Sequence, residues 1–153
     1  MKRSVEAKIV NTLLGSEIPL PHYSTDGSAG MDIRACIHEV VVIEPGETRI
    51  IPSGLAISIH DPNLMAILAP RSGLGIKHGI VLANLVGVID SDYHGEIKVG
   101  LWNRGKEPFS IEPGDRICQI MFVPVVQVEL ELVDEFSNMS ERGTGGLGHT
   151  GKK

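Results

Sequence analysis

The chain has 153 residues and a formal net charge of −5, a length that fits one domain with a sizeable core. Aromatics are few (Trp102, two Tyr and three Phe), so the core must come mostly from Val, Ile and Leu, residues that suit strands. The acidic balance and the lack of a basic run argue against a nucleic-acid partner, although a few converging cations and backbone N–H groups could still hold a small polyanion. No apolar stretch reaches bilayer length, and the residues after Met1 lack the apolar core of a signal peptide. Cys36 and Cys118 form neither zinc-ligand spacing nor a disulfide framework. A reducing, cytoplasmic setting is the expectation, with no membrane partner.

Short β-branched runs follow one another along the chain: Val40 to Ile43, Leu55 to Ile59, Ile80 to Leu82, Ile97 to Leu101, Ile117 to Val123 and Val125 to Leu132. The last alternates with polar residues, the period-two pattern of a half-buried strand. Pro45-Gly46, Asp61-Pro62 and Pro113-Gly114 punctuate them. One short helix is expected around Ser72 to His78, after Pro70. Many short strands with regular turns predict an all-β fold, a barrel or jelly roll. The segment Asp90 to Gly95 reads as a hairpin loop, with Gly95 supplying a positive φ where needed. From Arg142 onward the chain has almost nothing to bury and reads as a mobile tail.

Five segments carry candidate chemistry. Pro70-Arg71-Ser72-Gly73-Leu74-Gly75 offers a guanidinium, a hydroxyl and a glycine beside which backbone N–H groups can approach a phosphate. Gly87 to Ile97 places Asp90 at the end of an apolar strand, where a carboxylate can take a proton from water. Tyr93, at the tip, can stack on a sugar or base or simply pack. The glycine-rich tail can be a linker or a lid, and as a lid its Arg142, His149 and Thr150 would donate to phosphates. Arg116-Ile117-Cys118-Gln119-Ile120 puts a polar residue inside an apolar strand, and Ser28-Ala29-Gly30-Met31-Asp32-Ile33 is a small-residue turn leading to an acid. Taken singly, each also reads as ordinary turn or surface chemistry.

Together and in this order, the segments resemble the five signature motifs of the homotrimeric dUTPase family: Ala29 to Ile33, Pro70 to Gly75, Gly87 to Ile97, Arg116 to Ile120, and Arg142 to Gly151. The resemblance runs from the Pro19-Leu20-Pro21 stretch to the tail. It implies a jelly-roll-like β-barrel over residues 1–135 and a tail, 136–153, that closes over the active site. It implies a homotrimer with shared sites and Mg²⁺-dependent hydrolysis of dUTP to dUMP and pyrophosphate. Such a reaction keeps uracil out of DNA and supplies dUMP for thymidylate synthesis. Asp90 would be the general base. Arg71, Ser72 and Gly73 would bind phosphates, and Gln119 would sit near the α-phosphate. Arg142, His149 and Thr150 would reach the γ-phosphate. Asn84, Val88, Ile89 and Lys98 would hold uracil and deoxyribose, with Tyr93 against the sugar. The metal would be held by substrate phosphates and waters, with Asp32 and Gln119 in its outer shell and no direct protein ligand.

One departure concerns Leu147, which stands where the family usually carries an aromatic that stacks on uracil. Stacking contributes about 1–3 kcal/mol per base, so weaker tail closure is expected here. Thr150, where serine is common, keeps the hydroxyl. Two other readings are a dCTP deaminase-like enzyme of the same superfamily, separable by ammonia release, and a non-catalytic nucleotide-sensing trimer. A plain β-barrel whose turns merely look like motifs is a third. Trp102, His22, His38, His60, His78 and His94 are read as packing or surface residues.

Overall fold

The computed structural model describes residues 3–147 and 150–151. Ten strands and one short helical segment build it. The strands are β1 (Glu6–Ile9), β2 (Met31–Arg34), β3 (Val41–Ile43), β4 (Thr48–Ser58), β5 (Leu64–Ala69), β6 (Ile80–Leu82), β7 (Gly87–Ile89), β8 (Glu96–Asn103), β9 (Phe109–Ile111) and β10 (Arg116–Pro124). One four-stranded sheet runs β1-β4-β8-β6, a second runs β2-β10-β5-β7, and β3 pairs with β9. All pairings are antiparallel. The result is the jelly-roll-like all-β architecture anticipated from the strand spacing.

All three sheets feed one core. Ile33, Ile43, Ile51, Leu68, Val99, Leu101, Ile111, Ile117 and Ile120 are buried together. In β8 the alternation is complete: Ile97, Val99 and Leu101 point inward while Lys98 is exposed between them. Aliphatic β-branched residues therefore fill the core, as the scarcity of aromatics requires.

β4 is longer than the apolar run Leu55 to Ile59 suggested, because it passes through Pro52-Ser53-Gly54. A bulge between Pro52 and Ala56 absorbs the proline, which has no N–H to give the ladder. Gly54 takes φ 69° there, and an added Cβ would lie 2.6 Å from Cys36 Sγ. The expected helix forms over residues 72–78, with Leu74–His78 wound as a π-helical turn. Gly79, at φ 71°, ends it and donates its N–H to Gly75 O.

The expected strand Val125 to Leu132 does not form. Val126, Val128, Leu130 and Leu132 are all exposed, and β10 ends at Pro124. Period-two alternation signals a strand only where an edge is available to pair with, and this arm meets none among the described residues.

Candidate active site

The second sheet presents its outward face as the floor of the site. Its register sets Asp32 of β2 opposite Gln119 of β10, and Gln119 opposite Ala69 of β5. Their neighbours Ile33, Ile120 and Leu68 point into the core, so the alternation turns Asp32 and Gln119 outward. Gly30 keeps this surface open: an added Cβ would lie 2.9 Å from Met121 Cγ and 3.6 Å from Gln119 Oε1.

Arg71 follows Pro70 at the end of β5 and turns back over this floor. Its Nε lies 3.2 Å from Asp32 Oδ1, and Arg116 Nη1 lies 3.3 Å from Asp32 Oδ2. Arg71 Nη1 also donates to Arg116 O at 3.1 Å. One carboxylate, 24% exposed, thus orients two guanidinium groups. Arg71 and Arg116 line a groove of about 270 Å³ with Arg34, Phe109 and Asp115. Ser72 and Gly73 start the helical turn beside it, and an added Cβ at Gly73 would meet nothing within 4 Å. The space next to that backbone is open to a ligand.

A second groove, about 200 Å³, is lined by Asn84, Val88, Ile89, Asp90, Tyr93 and Lys98, with Leu68, Gly87, Glu96 and Ile97 completing its walls. Asp90 directly follows β7 and is exposed, and among the described residues its carboxylate has no hydrogen bond or ion pair. Its carbonyl accepts the Tyr93 N–H at 3.2 Å, which closes the turn. Tyr93 Oη donates to Glu96 O at 2.9 Å. Gly95 serves this contact by its lack of a side chain, since an added Cβ would sit 2.5 Å from Tyr93 Oη. It does not supply the positive φ expected from its place in the hairpin. Leu85, next to Asn84, does adopt φ 65°, a strained conformation for a branched residue that clusters at ligand-holding turns.

Among the described residues the two grooves share no lining residue, and none beyond Pro124 lines either. One chain therefore groups Asp32, Arg71, Arg116 and Gln119 in one place and Asn84, Val88, Asp90, Tyr93 and Lys98 in another. In the tail, Arg142 Nε donates to Gly145 O at 2.7 Å, and Leu147 and Thr150 are exposed. His149 lies outside the described residues. A larger cleft of about 530 Å³ lined by Val5, Leu20, Ile57 and Phe122 is apolar and carries none of these groups.

Glu96 was not singled out in the sequence. It lies at the start of β8, where its Oε1 accepts the Gly54 N–H at 3.0 Å and ties the hairpin base to the β4 bulge. Neither thiol belongs to the site. Burial first, and then the nearby Asp32 charge, push Cys118 up to about 12; burial and Glu96 raise Cys36.

The fold is shared with solved dUTPases. A Staphylococcus bacteriophage 80alpha dUTPase structure with dUPNHPP matches with a TM-score of 0.86 at 28% identity, covering 98% of this chain and 99% of that one. The dUTPase family model matches residues 16–151. A deoxyuridine 5'-triphosphate nucleotidohydrolase of Shewanella halifaxensis is 62% identical over 153 residues, all of both chains. One from Haemophilus influenzae is 59% identical over 151 residues, 99% of each. The chain belongs to the dUTPase family.

Proposed function

We infer that this protein is a dUTP diphosphatase, hydrolysing dUTP to dUMP and pyrophosphate. The observation that carries the reading is the unengaged Asp90 carboxylate at the mouth of the hairpin groove, with Tyr93 fixed beside it. Asp90 takes a proton from water as the water oxygen bonds to the α-phosphorus. The bond between that phosphorus and the bridging oxygen breaks, and pyrophosphate leaves. Arg71, Ser72 and the Gly73 backbone neutralise and orient the phosphates, and Gln119 lies near the α-phosphate.

Uracil and deoxyribose occupy the hairpin groove between Asn84, Val88, Ile89 and Lys98. Backbone donors and acceptors there reject the cytosine edge, because a mismatch leaves buried polar groups unpaired. The Tyr93 ring leaves no room for a 2′-hydroxyl. Asp32 and Gln119, side by side on β2 and β10, would suit the outer shell of a hydrated Mg²⁺, one carboxylate beside one amide. When bound, the ion offsets charge on the triphosphate.

The separation of the two grooves supports a site assembled from several copies of the chain. So does the outward face of the second sheet, where Met65, Ile67, Val88, Met121 and Val123 are uncharged and incompletely buried. The exposed apolar arm after Pro124, together with the apolar cleft, fits exchange of arms between copies. A closed homotrimer satisfies all three features. The tail, residues 136–153, then closes over the bound nucleotide, bringing Arg142, His149 and Thr150 to the γ-phosphate and Leu147 over the base. Such an enzyme acts on free nucleotides in the cytoplasm.

The test is pyrophosphate release by the purified protein with Mg²⁺, comparing dUTP with dCTP, dTTP and UTP. Release from dUTP alone is expected. Ammonia from dCTP, or binding without release, would overturn the reading.

A further inference from the structure

The corner between β4 and β5 supports the catalytic hairpin from outside the groove. His60 sits in this corner with φ 58°. Histidine adopts that left-handed conformation more readily than most residues, but it is still uncommon. Its backbone N–H reaches Ser91 O at 3.4 Å. Two residues earlier, Ser58 Oγ lies 2.9 Å from Nε2 of His94 and 2.9 Å from Nε2 of His60 itself. His60 Nε2 is also 2.9 Å from Glu6 Oε2 on β1. The two imidazole centroids are 5.8 Å apart.

The proton inventory fixes the outer end of this chain. A carboxylate only accepts, so His60 Nε2 carries a hydrogen and donates to Glu6. The Ser58 hydroxyl, able both to donate and to accept, pairs with His94 Nε2 in either tautomer of that ring. Glu6 orders His60, His60 and Ser58 share one centre, and Ser58 holds His94.

The contacts fall at particular places on the hairpin. Ser91 and His94 bracket Asp92 and Tyr93, and Asp90 directly precedes Ser91. The hairpin is thus held at Ser91 and His94 by the corner, and at Glu96 by the Gly54 N–H. Tyr93 is fixed only as well as these points are.

We propose that Ser58, His60 and His94 are positioning residues that set the height of Tyr93 over the groove, and so help the site tell deoxyribose from ribose. This rests on the reading that the hairpin binds the sugar. The residues touch neither substrate nor metal; they act through Tyr93 and Asp90. Glu6 is the outermost member, and its side chain is 78% exposed, so its own removal should matter least.

The experiment measures kcat and KM for dUTP and UTP with the full-length wild type, Ser58→Ala, His94→Ala, the double variant Ser58→Ala/His94→Ala, and His94→Gln. Each single alanine variant should lower kcat/KM for dUTP about fivefold to tenfold, the size of one lost hydrogen bond plus some misplacement. The preference for dUTP over UTP should fall by a similar factor. The double variant should be no worse than Ser58→Ala, which already removes the Ser58–His94 contact, and His94→Gln should recover most of the loss of His94→Ala through its amide. Amide exchange at Ser91 to Gly95, read independently of activity, should quicken in Ser58→Ala; should that variant not fold, His94→Ala gives the same readout. Additive losses, or an unchanged preference together with unchanged exchange, would overturn the inference while leaving the dUTPase reading intact. A wild type inert toward dUTP would overturn that reading and the positioning role with it, even if exchange quickened as expected.

Discussion

Arg71 Nε lies 3.2 Å from Asp32 Oδ1, while the same carboxylate takes Arg116 through its other oxygen at 3.3 Å. Asp32 therefore holds two guanidinium groups at one end of a groove. A lysine at position 71 would keep the charge but lose the planar fork that reaches Asp32 and the Arg116 carbonyl from separate nitrogens. Arg71→Lys should raise KM for dUTP about tenfold to a hundredfold, the range of a lost charge-assisted contact. Asp32→Asn should also raise the Mg²⁺ concentration needed for half-maximal rate. Steady-state kinetics across a Mg²⁺ titration check both, and an unchanged KM for Arg71→Lys would remove Arg71 from the phosphate site.

The Asp90 carboxylate makes no hydrogen bond or ion pair among the described residues, so its side chain has no structural duty there. Asp90→Asn keeps the shape and removes the proposed base. Turnover should fall about 10²- to 10⁴-fold, while Kd for a non-hydrolysable dUTP analogue changes little. Parallel losses of binding and turnover would make Asp90 a binding residue instead.

Gly95 and Tyr93 form a steric pair. An added Cβ at position 95 would lie 2.5 Å from Tyr93 Oη, so Gly95→Ala must displace the ring. The expected result is a lost preference for dUTP over UTP, with folding retained. Tyr93→Phe keeps the ring and loses only the bond to Glu96 O, so its effect on that preference should be several times smaller. Competition kinetics with UTP measure both.

How much of this was legible in the sequence follows from what each signal depends on. Val40 to Ile43, Ile80 to Leu82, Ile97 to Leu101 and Ile117 to Val123 are local apolar runs, and each corresponds to a strand. Thr48 to Ile51 was not seen as part of β4, because Pro52-Ser53-Gly54 looks like a turn and only the bulge reconciles it with a strand. β1, β2, β5 and β9 were not singled out either; their pairing partners lie far away in the chain. The arm after Pro124 failed for the opposite reason, having a strand's alternation without a partner edge. At the site, motif order pointed to Asp32, Arg71, Asp90 and Gln119, but the Asp32–Arg71–Arg116 clamp and the Ser58–His94 contact need coordinates. Glu96 and Leu85 had no signal, since one acts through a main-chain N–H and the other through a φ angle.

Cys118 makes a prediction about stability. Its thiol is raised from 9.0 to about 12, chiefly by burial. The folded state thus disfavours the thiolate that the unfolded chain forms freely. This contribution is complete below pH 9.0 and is lost as pH rises toward 12. By pH 11 the wild type should lose about 3 kcal/mol from this group alone. Urea melts from pH 8 to 11 should show a shallower decline for Cys118→Ala than for the wild type. Identical slopes would mean that the thiol is accessible to solvent.

The composite site is tested most directly by mixing two inactive variants. Asp90→Asn lacks the proposed base and Arg71→Ala the proposed phosphate contact, and each alone should release almost no pyrophosphate from dUTP. Co-expressed in equal amounts, they should form mixed trimers in which some sites take Asp90 from one copy and Arg71 from another. About a quarter of the wild-type activity should return if copies mix at random. Activity no higher than that of the separate variants, in samples shown to contain mixed oligomers, would contradict a site shared between chains.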